Sequence, residues 1–214
     1  MRLLRSLPIS LITLLLFAAC AGDQGREFAR YYDDQGLFAV NLPEANDITV
    51  TPPQPASQGG AGLLTGVVSS PPAPSPTPAS ALGGGIGVDP TQQTDQTIYQ
   101  AFAVTTDSFD DLDQMALYFL TGDPVVDVVI DDATGLGGDP GKLVVADVRN
   151  GDQVNASVAA AMTLGDGETG YLIAAIFPAG GWNGEQSDFE RVVESFNSHV
   201  PPGFDTFPVE PQTP

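Results

Sequence analysis

The residues best suited to chemistry are four aspartates in the segment DVVIDDATGLGGDPG. Carboxylate oxygens carried on a glycine-rich turn are typical calcium ligands. The segment lacks the alternating spacing and the terminal glutamate of an EF-hand loop, so an ordinary hairpin turn is the other interpretation. We therefore expect no resident cofactor, with calcium as the exception left open. The candidate metal ligands are Asp127, Asp131, Asp132 and Asp139.

Nucleophilic catalysis finds little support in this sequence. A serine nucleophile needs a base, and His199 is the only histidine of the chain. It follows Ser198 at the predicted end of the last helix, where neither orientation nor shielding is assured. No catalytic residue is assigned, and we expect no enzymatic activity. A metal-dependent enzyme or hydrolase that uses the acidic loops is the alternative.

Three aromatic residues around the last predicted strand form a second candidate site. They are Tyr171, Phe177 and Trp182. Exposed aromatic side chains mark binding surfaces, so these residues could contact a partner. Plain packing in the core is the competing interpretation.

The charge of the chain restricts its partners. The sequence has 7 basic and 27 acidic residues, and Arg2 and Arg5 lie in a segment expected to be removed, which leaves 5 − 27 = −22. Such a surface repels phosphate backbones and anionic headgroups. We therefore expect no nucleic-acid partner, and membrane contact must come from a lipid.

The only cysteine, Cys20, ends an apolar N-terminal segment, MRLLRSLPISLITLLLFAAC. Its apolar stretch is shorter than the roughly 20 residues that a membrane span needs. The pattern resembles the lipobox of bacterial lipoproteins. That resemblance implies removal of residues 1–19, acyl chains on Cys20 of the palmitate type, and a tether over residues 20–30. An uncleaved anchor and an ordinary secretory signal are the alternatives.

A low-complexity segment interrupts the rest of the chain. Residues 51–90 are crowded with proline, glycine, serine and alanine and contain no aromatic residue. Such a composition cannot bury enough apolar surface to order itself, so we predict a long disordered insertion. Within it, only Leu63-Leu64 and Val67-Val68 could dock on a surface. Residues 201–214 are predicted to form a flexible tail.

Alternating apolar patterns on both sides of the insertion predict strands. Before it, a turn over 33–36 precedes a strand in which Phe38, Val40 and Leu42 share one face, and a short piece follows around Ile48 and Val50. These strands should pair with the sheet that resumes after the insertion, because an isolated hairpin is marginal in water. Further strands are predicted at 97–105, 125–130, 142–148, 156–164 and 170–177, with antiparallel neighbours.

Two helices are predicted from caps and apolar spacing. The first should begin at Ser108, with Asp111 as its box partner. The second should begin at the capping box of Ser187 and Glu190. Its apolar face is expected to contain Phe189, Val192, Val193 and Phe196.

The pieces together resemble a family. The opening YYDDQGLFAVNLP, the F-x-x-L helix and the closing FERVVESF are similar to the PsbP-like superfamily of PsbP, DcrB and Mog type. The resemblance implies one α+β domain over residues 31–200, an α/β/α sandwich with a largely antiparallel sheet covered by two helices. It also implies a binding module rather than an enzyme.

These features predict a lipid-anchored binding or accessory module without catalytic activity. It should lie on the outer face of the bacterial cytoplasmic membrane, outside the cytoplasm. Its expected partners are the membrane, through the lipid on Cys20, and another extracytoplasmic protein or a small ligand.

Overall fold

The computed structural model describes residues 26–56, 61–72, 95–120, 125–198 and 200, without the side chains of residues 125 and 126. Nine strands and two helices are present in these ranges. In chain order they are β1 (Phe28–Tyr32), β2 (Ala39–Pro43), β3 (Asp47–Thr51), β4 (Leu63–Ser70), β5 (Ile98–Thr105), α1 (Leu112–Leu120), β6 (Val125–Leu136), β7 (Asp139–Asn150), β8 (Gln153–Thr163), β9 (Thr169–Pro178) and α2 (Trp182–Ser195).

Seven of the strands form one sheet in the order β3-β4-β5-β9-β8-β7-β6. Every neighbouring pair is antiparallel, which confirms the prediction from the short turns. The predicted strands after the insertion are all present, and β6, β7 and β8 are longer than their apolar runs suggested. Neither α1 nor α2 is long and apolar enough to cross a membrane.

The two helices cover opposite faces of this sheet. Along β9 the side chains alternate, so that Ile173 packs in one apolar cluster with Phe189 of α2. Its neighbour Leu172 packs in the other cluster with Met115 of α1. Because successive strand residues point to opposite faces, one strand contributes to both cores. The predicted α+β sandwich with two covering helices is confirmed.

Strand β4 corrects the prediction for the insertion. Residues Leu63–Ser70 were expected to lie in a segment unable to order itself, yet they form an inner strand between β3 and β5. The average composition of residues 51–90 does not reveal the short apolar run in which Leu63 and Val67 are buried. Hydrogen bonds to two neighbouring strands and this burial offset the cost of ordering. Residues 73–94 lie outside the described ranges.

The first hairpin also differs from expectation. Strand β3 joins the main sheet as predicted, but β2 pairs with β1 in a separate two-stranded sheet. This hairpin is not isolated, because Phe38, Val40 and Leu42 are buried in the same cluster as α2. Asn41 donates its backbone N–H to the Ser195 hydroxyl of α2 over 2.8 Å. Packing against the helix therefore replaces pairing with the large sheet.

The turn between β1 and β2 is held by a buried carboxylate. Oδ2 of Asp33 accepts backbone hydrogen bonds from Gln35 and Leu37 at 3.0 and 3.1 Å. Oδ1 accepts a 2.7 Å hydrogen bond from the Thr65 hydroxyl of β4. The predicted turn over residues 33–36 is confirmed, and Gly36 there has a positive φ of 73°. Asp33 also ties this turn to the main sheet.

Both helices begin elsewhere than their sequence signals suggested. Helix α1 starts after Asp111, whose Oδ1 caps the backbone N–H of Gln114 at 2.8 Å, so Ser108 is not the cap. Helix α2 starts at Trp182 after Gly181, with no side-chain cap. Ser187 therefore lies inside the helix and its predicted capping box is wrong. The predicted apolar face of α2 is confirmed, since it packs in the core beside the sheet.

Candidate functional site

The four candidate aspartates are spread along the β6–β7 hairpin. Asp131 lies opposite Val144, which packs on the α1 side of the sheet. Asp127 lies opposite Asp147, which accepts a hydrogen bond from Ser157 on the α2 side. Asp132 follows Asp131 and therefore points to the other face. The structure thus separates these carboxylates between two faces.

Asp131 and Asp127 each have a cationic partner within the chain. Lys142 of β7 contacts Asp131 over 2.7 Å and also contacts Asp113 of α1, so it joins the helix to the hairpin. Hydrogen bonds to Asp113 and then to Asp131 raise the pKa of Lys142 above its ordinary value. Arg149 pairs with Asp127. Asp127 and Asp131 therefore form ion pairs between neighbouring strands, and Asp113 forms one between the helix and the sheet.

The glycine-rich part of the segment forms the hairpin turn. Gly137 and Gly138 have φ values of 66° and 96°, the positive pair that a two-residue type I′ turn needs. Asp139 follows at once, opposite Leu136. Within the described ranges, no three His, Cys, Asp or Glu side chains are grouped to hold a metal ion. The segment therefore has the arrangement of an ordinary hairpin turn. No observation in it favours the alternative of a metal-dependent enzyme or hydrolase.

The three candidate aromatic residues lie in the core, which corrects the binding-surface prediction. Tyr171, Phe177 and Trp182 are 7%, 0% and 9% exposed. The Trp182 ring contacts those of Phe177 and Phe189, with both centroid distances at 5.8 Å. The Tyr171 ring contacts that of Phe196 at 5.2 Å. Sheet-to-helix packing explains these residues, and they offer no surface to a partner.

Other predicted positions lie outside the described residues. They are the signal over residues 1–19, Cys20, His199 and the tail over 201–214. Lipidation of Cys20 therefore stays a prediction.

The most accessible apolar feature is at β6, the last strand of the sheet. Within the described part of the chain, β6 pairs only with β7, so its other side is an open edge. Val128 and Val129 on this edge are 57% and 60% exposed. The register shifts between Val128 and Ile130, which places Val129 in a bulge. Side chains of Asp127 and Asp131 flank the valines and are 56% and 55% exposed.

Every basic residue after Cys20 is engaged within the chain. Lys142 and Arg149 pair with the hairpin aspartates, as described above. Arg30 donates to Asn41 and to the backbone of α2, and the Arg191 guanidinium lies 4.4 Å from the centre of the Phe28 ring. Arg26, the fifth, pairs with two carboxylates. The surface therefore presents carboxylates with few free cations, which disfavours anionic partners.

Sequence reasoning missed the network around Arg26. Its Nη1 atom lies 2.8 Å from Oε2 of Glu185 and 3.3 Å from Oδ2 of Asp188, both on α2. The same atom donates to the Tyr99 hydroxyl at 3.2 Å. Burial lowers the pKa of Arg26, but the hydrogen bond to Glu185 and the charges of the nearby groups outweigh it and leave the pKa raised. No local pattern could reveal a contact across 159 positions.

No protein-family model matches the sequence, and no curated protein matches it either. Among solved structures, the chain is similar to cyanobacterial PsbP (CyanoP) from Synechocystis sp. PCC 6803, at 16% identity, with 84% of this chain and 96% of that chain covered and a TM-score of 0.48. It is also similar to LpqN, involved in cell envelope biogenesis of Mycobacterium tuberculosis, at 13% identity, 80% and 90% coverage and a TM-score of 0.37. A Pseudomonas aeruginosa protein of unknown function matches at 7% identity, 77% and 92% coverage and a TM-score of 0.38. The α+β architecture is seen in the strand order of the chain itself, and membership of the PsbP-like superfamily stays a prediction.

Proposed function

We propose that this protein is a lipid-anchored, extracytoplasmic binding module that holds a partner protein along strand β6. The anchor is the lipid on Cys20, and the partner contributes an extended segment that pairs with the open edge. The observation that carries the binding role is this edge, with its two valines more than half exposed. An exposed strand edge offers unpaired backbone groups, and β-augmentation is a common mode of peptide recognition.

Charge decides the kind of segment that fits. Asp127, Asp131 and Asp132 accompany the exposed valines along β6. Asp127 and Asp131 already pair with Arg149 and Lys142, but a chain with 27 acidic and 7 basic residues still repels a second copy of itself. A segment that alternates apolar and basic residues has no such penalty. We therefore commit to a basic, extended segment of another protein as the occupant.

A model strand tests the edge directly. The probe is a synthetic peptide of about eight residues, a usual strand length, that alternates valine and lysine. Its control replaces each lysine by glutamate. We expect the lysine peptide to slow hydrogen exchange within Val125–Leu136 and to leave the opposite edge strand Asp47–Thr51 unchanged. Equal protection by both peptides, or protection at β3 instead, would contradict the proposal.

Two matched variants sharpen this test. Val129→Lys places a cation on the edge, while Leu117→Lys makes the same change on α1, and both parent residues are 60% exposed. We expect Val129→Lys to abolish the protection and Leu117→Lys to retain it. Loss with both variants would indicate a nonspecific charge effect and would contradict binding at β6.

The anchor has a separate test. Expression of the full chain and of Cys20→Ser in a bacterial host should place the wild type in the membrane fraction. A diacylglycerol mass increment on the N-terminal peptide should accompany the wild type only. A membrane-bound wild type whose N-terminal peptide carries no diacylglycerol would refute the lipid anchor without affecting the edge-binding result.

A further inference from the structure

Three glycines of the chain directly follow an asparagine or an aspartate. They belong to the pairs Asn150-Gly151, Asp166-Gly167 and Asn183-Gly184. At such a pair the backbone nitrogen of the glycine can attack the side-chain carbonyl carbon of the residue before it, because glycine has no side chain to obstruct the approach. The attack closes a five-membered succinimide ring. In a folded protein it requires a glycine N–H that is free and a backbone that can move.

Two of the three pairs are held by backbone hydrogen bonds. Gly167, in the β8–β9 turn, donates its N–H to the Leu164 carbonyl over 3.0 Å. Gly184 lies in the first turn of α2 and donates its N–H to the Gly181 carbonyl over 3.1 Å. Asn183 is exposed, so its side chain is accessible, but the helix fixes the backbone that follows it. Both glycine nitrogens are therefore engaged and not available for ring closure.

Asn150-Gly151 differs from the other two pairs, because it lies at the tip of the β7–β8 hairpin. Asn150 ends β7 and pairs with Gln153, and Gly151 opens the turn between them with a φ of 61°. All four residues over 150–153 are exposed. Within the described part of the chain, the Gly151 N–H donates no hydrogen bond. No hydrogen bond has to break to free this nitrogen.

The register of the hairpin allows its tip to move. Regular pairing of β7 with β8 is interrupted after Val148. Only two pairs lie beyond the interruption, Arg149 with Val154 and Asn150 with Gln153. An extended residue must rotate about ψ before its side chain meets the following nitrogen, and opening these two terminal pairs permits that rotation. Local opening at the end of an element costs much less free energy than global unfolding.

We propose that Asn150 is a site of spontaneous deamidation in the folded protein, whereas Asn183 is not. The Gly151 nitrogen bonds to Cγ of Asn150, and the side-chain nitrogen leaves as ammonia with the proton that Gly151 gives up. Water then adds to either carbonyl of the succinimide and breaks the bond from that carbon to the ring nitrogen. The product is aspartate, or isoaspartate, in which the main chain runs through Cγ. Water is the only co-reactant, and the reaction depends neither on the anchor nor on binding at β6.

The modification changes the hairpin beside the start of β6. Both products add a negative charge next to Arg149 in the chain, and Arg149 pairs with Asp127 of β6. Isoaspartate also lengthens the main chain by one carbon atom, so the two pairs beyond Val148 cannot keep their register. Because Arg149 lies opposite Val125, the altered tip adjoins the first residues of β6.

Peptide mapping by mass spectrometry tests this proposal. The purified full chain, in mild detergent, is incubated at mildly alkaline pH in heavy-oxygen water, which labels each carboxylate formed by succinimide hydrolysis. We expect the peptide with Asn150 to gain the label and isoaspartate several-fold faster than the peptide with Asn183. The same chain unfolded in concentrated urea is the control, because both asparagines precede glycine and should then convert at similar rates.

A variant at the tip identifies the reacting residue. Asn150→Gln keeps an exposed amide but would have to close a six-membered ring, which forms much more slowly, so we expect the label at the tip to disappear. A circular-dichroism melt checks that this variant folds. Label that persists in Asn150→Gln, no conversion at Asn150 in the folded wild type, or equal folded rates at Asn150 and Asn183 would each overturn the proposal.

Discussion

Asp33 shows how one residue can decide the conformation of a turn and its place on the sheet. Its side chain is 4% exposed and accepts hydrogen bonds from two backbone groups and from Thr65. A buried carboxylate is tolerated only when hydrogen bonds replace its lost hydration. Here they do so, and each bond joins the β1–β2 turn to itself or to β4.

Removing this carboxylate should be costly. Asp33→Ala leaves two backbone N–H groups and the Thr65 hydroxyl without their acceptor, and we expect a loss of about 2–4 kcal/mol in the free energy of unfolding. Asp34→Ala changes the exposed neighbour and should cost no more than about 0.5 kcal/mol. Urea titration of both variants measures the difference. Equal losses would show that the hydrogen bonds of Asp33 do not hold the turn.

Among the elements, β4 depends most on its neighbours. Its residue Gly66 lies directly opposite Phe102 of β5, and a Cβ added there would stand 2.3 Å from Cδ1 of that ring. The absence of a side chain thus lets the ring cover the strand. A glycine-rich composition, which suggested disorder in the sequence, here provides the space for packing.

A pair of glycine substitutions tests this role. Gly66→Ala should destabilise the fold by about 1–3 kcal/mol, because the new methyl group displaces Phe102 from a packed core. Gly184→Ala should stabilise it by about 0.5–1 kcal/mol, since this glycine lies within α2 and no atom is within 4 Å of the added Cβ. Thermal melts of both variants give the sign of each change. A harmless Gly66→Ala would argue against β4 as an inner strand.

At the scale of the whole molecule, excess negative charge shapes both the surface and the response to pH. Arg26, Lys142 and Arg149 form ion pairs within the chain. Burial also shields the hydroxyls of three tyrosines from water. Burial, then the charges of Asp33 and Asp34, raise the pKa of Tyr31 to about 12. Burial is also the largest cause of the raised pKa values of Tyr99 and Tyr171.

These shifts predict a loss of stability in alkali. A tyrosine whose folded pKa exceeds its unfolded value of about 10 contributes stability that is complete below pH 10 and is lost as the pH rises through the folded value. Lys142, with its raised pKa, acts in the same direction. The free energy of unfolding in urea should therefore fall between about pH 10 and pH 12. Tyr99→Phe should reduce this dependence, and an unchanged slope would contradict the role of Tyr99.

Local patterns in the sequence were sufficient to predict much of the fold of this protein. The alternation in β5, the continuous apolar run of β9 and the apolar spacing of α2 predicted the sandwich, because a strand covered on both faces is apolar throughout and a helix covered on one face repeats its apolar residues every three or four positions. Net charge predicts which partners are excluded, and the N-terminal segment that ends at Cys20 predicts the anchor; both stay predictions. Each of these features depends on residues close together in the chain.

Tertiary structure decided what depends on distant residues. Strand β4 is ordered because β3 and β5 flank it, and the aromatic candidates are buried because α2 lies over them. The capping box predicted at Ser187 does not form, because α2 already starts at Trp182. Arg26 fixes the entry of the chain through contacts 159 positions away. Long-range contacts compensate for conformational entropy only once the fold is complete, so no local window of sequence contains them.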